Sequence, residues 1–132
     1  MGNKFFVTTA IDYTNDVIHI GHAYQKIIAD IFARYHRQKG EDVFFLTGTD
    51  EHGGTSEQAA KNEGITPREY VDKISEKDRS ELDSLNISYD RFIRTTDSDH
   101  NELVKEFYKK VKAQGDIYKG DYAGYYCTGC ES

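Results

Sequence analysis

Apolar and polar positions fall in blocks along this chain, and the blocks carry two different periods. Phe5-Phe6-Val7-Thr8-Thr9 is a short β-branched and aromatic run, the pattern of a buried parallel strand. From Ala23 onward, Ile27, Ile28, Ile31, Phe32 and Tyr35 recur at three- and four-residue steps. That period predicts a helix with this stripe turned to the core. The helix should stop at Lys39-Gly40, with cations in its last turn and glycine just beyond. Val43-Phe44-Phe45-Leu46 is a second apolar run, and with the first strand and the helix it completes a right-handed βαβ unit. Residues 47–54 read as a polar, glycine-rich loop at the carboxyl end of that strand.

The second half repeats the alternation. Residues 56–62 predict a short helix closed by Gly64, and Thr66-Pro67-Arg68-Glu69 has the form of a capping box with proline at the first helical position. The helix it opens runs to about Leu85, with Val71, Ile74, Leu82 and Leu85 as its buried stripe. Position 78 falls on the same stripe and is Asp78, so either packing is light there or the carboxylate meets a partner. Arg91-Phe92-Ile93-Arg94-Thr95 is a third strand. Residues 97–114 predict a helix whose core face is Leu103, Val104, Phe107, Tyr108 and Val111. Residues 118–126 are tyrosine- and glycine-rich and read as extended, which places a domain boundary near Gly115. The whole is an α/β pattern with a parallel sheet.

Composition narrows the class. A chain of 132 residues, 37% hydrophobic and 30% charged, suits one globular domain. The net charge of −6 argues against strong nucleic-acid binding by this segment alone. No apolar run reaches 18 residues and no cationic, apolar leader is present, so neither a membrane span nor a signal peptide is expected, and the expected compartment is the cytoplasm. Cys127 and Cys130 form one Cys-x-x-Cys pair. In a reducing compartment the pair suits half of a zinc knuckle, which needs four tetrahedral ligands; a redox pair and inert thiols are the alternatives. A Gly-x-Gly-x-x-Gly fingerprint and a Gly-Lys-Ser/Thr loop are both missing, which disfavours dinucleotide oxidoreductases and P-loop NTPases.

The densest chemistry lies at His19-Ile20-Gly21-His22, between the first strand and its helix. Free N–H groups and the positive end of the helix dipole favour an anion at a helix start. Two imidazoles add hydrogen bonds to phosphate, and Gly21 lets a flat ligand lie against the backbone. The alternative is that both histidines merely cap the helix. Open α/β sheets bind ligands at the carboxyl ends of their strands, so this tetrad and the acidic loop after Leu46 should converge on one crevice.

At these residues the chain resembles the methionyl-tRNA synthetases, a class I aminoacyl-tRNA synthetase family. The resemblance rests on Phe6-Val7-Thr8-Thr9, His19-Ile20-Gly21-His22-Ala23-Tyr24, Ala33-Arg34-Tyr35-His36 and Thr47-Gly48-Thr49-Asp50-Glu51-His52-Gly53. Phe92-Ile93-Arg94-Thr95-Thr96, Gly115-Asp116-Ile117-Tyr118 and Cys127-x-x-Cys130 extend it to the end. It implies a Rossmann-like nucleotide-binding half-domain over residues 1–115 and the start of a zinc-knuckle insertion over 116–132. By resemblance His19 and His22 contact the ATP phosphates and Gly21 packs against adenine. Asp50 pairs with the methionine ammonium, while Ala10, Ile11 and Tyr13 wall its side-chain pocket. Cys127 and Cys130 hold structural Zn²⁺. The implied substrates are ATP with Mg²⁺, methionine and tRNA, the last through family parts not represented in this chain.

The implied reaction is attack of the methionine carboxylate on ATP, giving methionyl-adenylate and pyrophosphate, followed by transfer to tRNA. Several positions depart from the family's pattern. Ala10, Thr14 and Ile18 stand where proline is common, Asp12 where an aromatic or proline is common, and Asp78 where an aromatic is usual. The lost prolines predict a looser loop, and Asp12 adds a carboxylate beside the pocket. Two other readings carry different expectations: a non-catalytic module that keeps the fold, and a class I ligase or nucleotidyltransferase with another substrate.

Overall fold

The computed structural model describes residues 2–121 and 123–127. Among these, strands and helices follow as β1 (Lys4–Thr8), β2 (Asp12–Tyr13), α1 (Ile20–Gln38), β3 (Asp42–Asp50), α2 (Gly54–Glu63), α3 (Pro67–Ser84), β4 (Arg91–Arg94) and α4 (Ser98–Ala113). β3 is the central strand. β1 pairs with its first half, from Lys4↔Asp42 to Thr8↔Leu46, and β2 continues along the same edge with Asp12↔Thr49 and Tyr13↔Asp50. β4 takes the opposite edge, from Leu46↔Arg91 to Thr49↔Arg94. Every pairing is parallel, so the carboxyl ends of the strands gather at one end of the sheet.

The segment 47–50, expected as loop, is strand. Its polarity is misleading because the buried hydroxyls are all bonded: Thr47 to Thr9 at 2.7 Å, and Thr49 to Glu51 at 3.0 Å and Ser75 at 3.2 Å. Gly48 is what lets β4 come alongside, since a Cβ there would stand 1.8 Å from the Ile93 carbonyl oxygen.

α1 covers the sheet with a face other than the one its apolar stripe predicts. Lys26, Ala29, Asp30 and Ala33 are buried, whereas Ile27, Ile28, Ile31, Phe32 and Tyr35 are 37–55% exposed. Small Ala29 and Ala33 permit close approach to Phe45, and the buried Asp30 is satisfied by Arg34 and by the Ser88 N–H and hydroxyl. The main core joins Ile18, Ala29, Ala33, Phe45, Leu82, Ile87 and Phe92. A second cluster of Ala60, Tyr70 and Ile74 packs α2 against α3.

α3 opens with the expected capping box, Thr66 and Glu69 each bonding the other's backbone N–H. Val71, Ile74 and Leu82 are buried as the stripe requires, but Leu85 is exposed because the helix ends at Ser84 and Leu85 is its cap. α4 departs furthest. It has no buried residue: Leu103, Val104, Phe107 and Tyr108 are exposed and Val111 is half-buried, so the expected core face meets no core among the described residues.

Candidate active site

The site assembles where α1 begins, at the carboxyl end of the sheet. His19 is the N-cap of α1, and its Nδ1 accepts from the Gly21 N–H at 3.0 Å. His22 returns the bond, its Nδ1 accepting from the His19 N–H at 3.2 Å. Two imidazoles thus occupy the places that Ser/Thr and Glu/Gln take in a capping box. Their rings stack with centroids 3.9 Å apart. Gly21 allows the fold-back, because a Cβ there would lie 2.9 Å from His19 Cε1.

This reciprocal cap has a chemical consequence. Both Nδ1 atoms are committed as acceptors, so each neutral ring carries its proton on Nε2. Capping and anion binding are therefore compatible: one edge of each ring satisfies the helix and the other presents a donor.

The loop from β1 to α1 is held along its length. Lys26 Nζ donates to the Ala10 carbonyl at 2.9 Å and pairs with Asp12 Oδ2 at 2.6 Å. The Thr14 N–H reaches the Asp50 carbonyl at 3.3 Å, and Tyr70 OH donates to the Asn15 carbonyl at 2.9 Å. The Ile18 N–H donates to Asp78 Oδ1 at 3.1 Å. Thr14 and Ile18, expected to loosen the loop, tie it down with N–H groups that proline lacks. Asp78 has its partner, although its Oδ2 is buried without one among the described residues. Burial pushes the Asp78 carboxyl up to about 6, against the Ile18 N–H and with help from Asp12 and Glu81.

Asp50 ends β3 half-buried, with Tyr13 beside it in register. The Thr95 hydroxyl stands 3.5 Å from its Oδ1, at the limit of hydrogen bonding, and no cation pairs with it among the described residues. Its carboxylate keeps acceptor capacity for a ligand cation. Glu51, one residue on, differs completely: it is buried, held by Arg94 Nε at 2.6 Å and by Thr49 and Thr96, and it locks β3 to β4.

Ile11 is half-buried, and Ala10 and Tyr13 are exposed on the same open edge. A cavity of about 260 Å³ lies beside His19, between Ile18, Ala23 and the end of α3; Asp50 does not line it.

Cys127 is exposed, and Cys130 lies outside the described residues. Among the described residues no three His, Cys, Asp or Glu side chains converge as a metal site, so they do not complete the four positions that zinc takes. Sequence reasoning missed Lys26 and Glu51. Lys26 lies four residues after His22, on the same face of α1 as Ala29 and Ala33, and that small-residue pair was the available signal for the true buried face.

A parallel sheet whose carboxyl end carries a histidine-capped helix, with a carboxylate that has no cation partner among the described residues, is the architecture of a nucleotide-binding α/β fold. The family model described as tRNA synthetases class I (M) matches residues 5–132, and the chain belongs to that family. It is 51% identical over its full length to the methionine–tRNA ligase of Caldanaerobacter subterraneus subsp. tengcongensis, covering 21% of that protein. It is 53% identical over 129 residues to that of Thermotoga maritima, covering 98% of this chain and 20% of the relative. The chain thus spans about a fifth of the length of the curated relatives it matches. The structure of Mycobacterium tuberculosis methionyl-tRNA synthetase in complex with methionyl-adenylate superposes with a TM-score of 0.93 at 46% identity, over 96% of this chain and 25% of that one.

Proposed function

We propose that this chain is the N-terminal catalytic part of a methionine–tRNA ligase, which activates methionine with ATP and transfers it to tRNA. The observation that carries the reading is the pair of Nε2 donors on the reciprocal histidine cap, at the sheet end where Asp50 has no cation partner among the described residues. His19 and His22 would hold the ATP phosphates, with Gly21 giving adenine access to the backbone. Asp50 would anchor the methionine ammonium, and Ala10, Ile11 and Tyr13 would wall the side chain. With both substrates fixed, the methionine carboxylate attacks the α-phosphorus and pyrophosphate leaves. The two imidazoles stabilise the charge that develops on the phosphoryl oxygens, so positioning and electrostatics carry the rate. Mg²⁺ accompanies ATP as part of the substrate. Cys127 and Cys130 would supply two thiolates to a zinc knuckle in an insertion starting near residue 116. Contacts to tRNA fall to parts of the relatives beyond the fifth spanned here.

The test is methionine-dependent ATP–pyrophosphate exchange by the full-length gene product. His19→Asn keeps an acceptor for the Gly21 N–H, and His22→Gln keeps the capping box; in each, the amide oxygen caps the helix and the remaining amide N–H no longer stands where the imidazole Nε2–H did. Each should lower kcat by about 100- to 1,000-fold while melting close to the parent. Unchanged exchange in both variants would leave the histidines as caps alone. Exchange driven by a different amino acid would reassign the substrate, and no exchange at all would favour a non-catalytic module.

A further inference from the structure

Beneath the histidine cap lies a buried ionic pair to which the proposed reaction gives no role. Lys26 has no exposed surface. Its ammonium protons go to Asp12 Oδ2 at 2.6 Å, the Ala10 carbonyl at 2.9 Å and Gln25 Oε1 at 3.3 Å, which uses all three donors. Asp12 is also buried, and its second oxygen, Oδ1, stands 4.0 Å from His22 Nε2. That nitrogen carries the proton the phosphate needs. Too far for a hydrogen bond, the contact is close enough for the carboxylate's charge to act on the Nε2–H dipole. An uncompensated Asp12 would turn the His22 donor inward and repel a polyanion. Asp78, the other buried carboxylate of this region, faces the Ile18 N–H and adds to the negative side of the balance.

We propose that Lys26 is a positioning residue for the phosphate site, acting through Asp12. It neutralises the carboxylate behind His22 and ties it, with the Ala10 carbonyl, to the helix that carries both histidines. The inference rests on the reading of His22 as a phosphate ligand, and it assigns this chain a charge balance set by the pair rather than by either residue.

The two members have opposite signs, so their removal has opposite consequences for a triphosphate. In the full-length gene product, Lys26→Met leaves Asp12 unbalanced and should raise the KM for ATP about tenfold. Asp12→Asn keeps an acceptor for Lys26 but leaves a net positive charge, and should lower the KM for ATP at least twofold. The double variant, Asp12→Asn with Lys26→Met, should return it to within about threefold of the parent. Simple loss of packing raises KM in all three. A raised KM in both single variants, or a KM for the double equal to that of Lys26→Met, would overturn the proposal.

If Lys26→Met does not fold, Asp12→Asn decides alone: a KM for ATP equal to or above the parent's refutes it. Calorimetric ATP binding without methionine reads the same pattern. A parent that binds ATP but lacks methionine-dependent exchange would therefore refute the ligase reading, while the opposite shifts in ATP affinity would still uphold the charge balance.

Discussion

Asp50 and Asp78 are two carboxylates a short way apart in function and opposite in environment. Asp50 is half-buried at the strand end with acceptor capacity to spare, which suits a ligand ammonium. Asp50→Asn removes its charge and keeps its shape, so in pyrophosphate exchange the KM for methionine should rise at least tenfold and that for ATP less than threefold. Equal effects on the two substrates would make Asp50 a loop-shaping residue. Asp78 is 1% exposed and holds its proton up to about pH 6, against 3.8 for the ordinary group. Between those values the folded state binds more protons than the unfolded one, so this group's contribution makes stability fall as pH rises through about 4 to 6, then level off. The full difference is about 3 kcal/mol. Asp78→Asn keeps the acceptor for the Ile18 N–H and lacks the titration. Urea midpoints from pH 4 to 7 should show the variant gaining on the parent across that window. A gap independent of pH would mean that Asp78 titrates normally.

At the scale of elements, sequence and structure agree where a boundary has local chemistry. The Thr66/Glu69 box opens α3, and Gly40, Gly64 and Gly115 adopt the positive φ that helix stops need. They disagree where the decision is tertiary. The stripe from Ile27 to Tyr35 has a helical period but does not face the sheet, because small Ala29 and Ala33 pack closest and Lys26 and Asp30 have partners. Periodicity gives the helix, not the identity of its inner face. The histidine tetrad was legible as the start of α1 and Asp50 as part of the acidic segment after the second apolar run, their roles coming from the resemblance, whereas Lys26 was not legible, since its partner Asp12 is distant in sequence. Residues 47–50 look like loop by composition and are strand by pairing. That pairing predicts that Gly48→Ala, which places a methyl 1.8 Å from the Ile93 carbonyl oxygen, forces β3 and β4 apart. The cost should be about 3 kcal/mol or more by urea unfolding. A loss below about 1 kcal/mol would show that β4 is not bound as described.

At the scale of the whole molecule, the described residues leave apolar surface open in several places. Phe6 and Phe44 stack on the sheet with their centroids 5.7 Å apart, and both are exposed. The α1 stripe and the α4 face of Leu103, Val104, Phe107 and Tyr108 add to them. Parallel sheets in α/β proteins are covered on both faces, so bare phenylalanines on one face mark a surface that is built to be covered. The chain also spans about a fifth of its curated relatives. As a 132-residue polypeptide it should bind a hydrophobic dye while native and associate as its concentration rises, despite a net charge of −6. The faces contribute apolar surface without contributing core, so polar substitutions on them should be nearly free. Leu103→Lys with Phe107→Glu should cut dye binding and shift sedimentation toward the monomer. The urea midpoint should move by no more than about 0.5 kcal/mol equivalent, the usual range for surface changes. A loss of several kcal/mol from that pair would place α4 in a packed core after all.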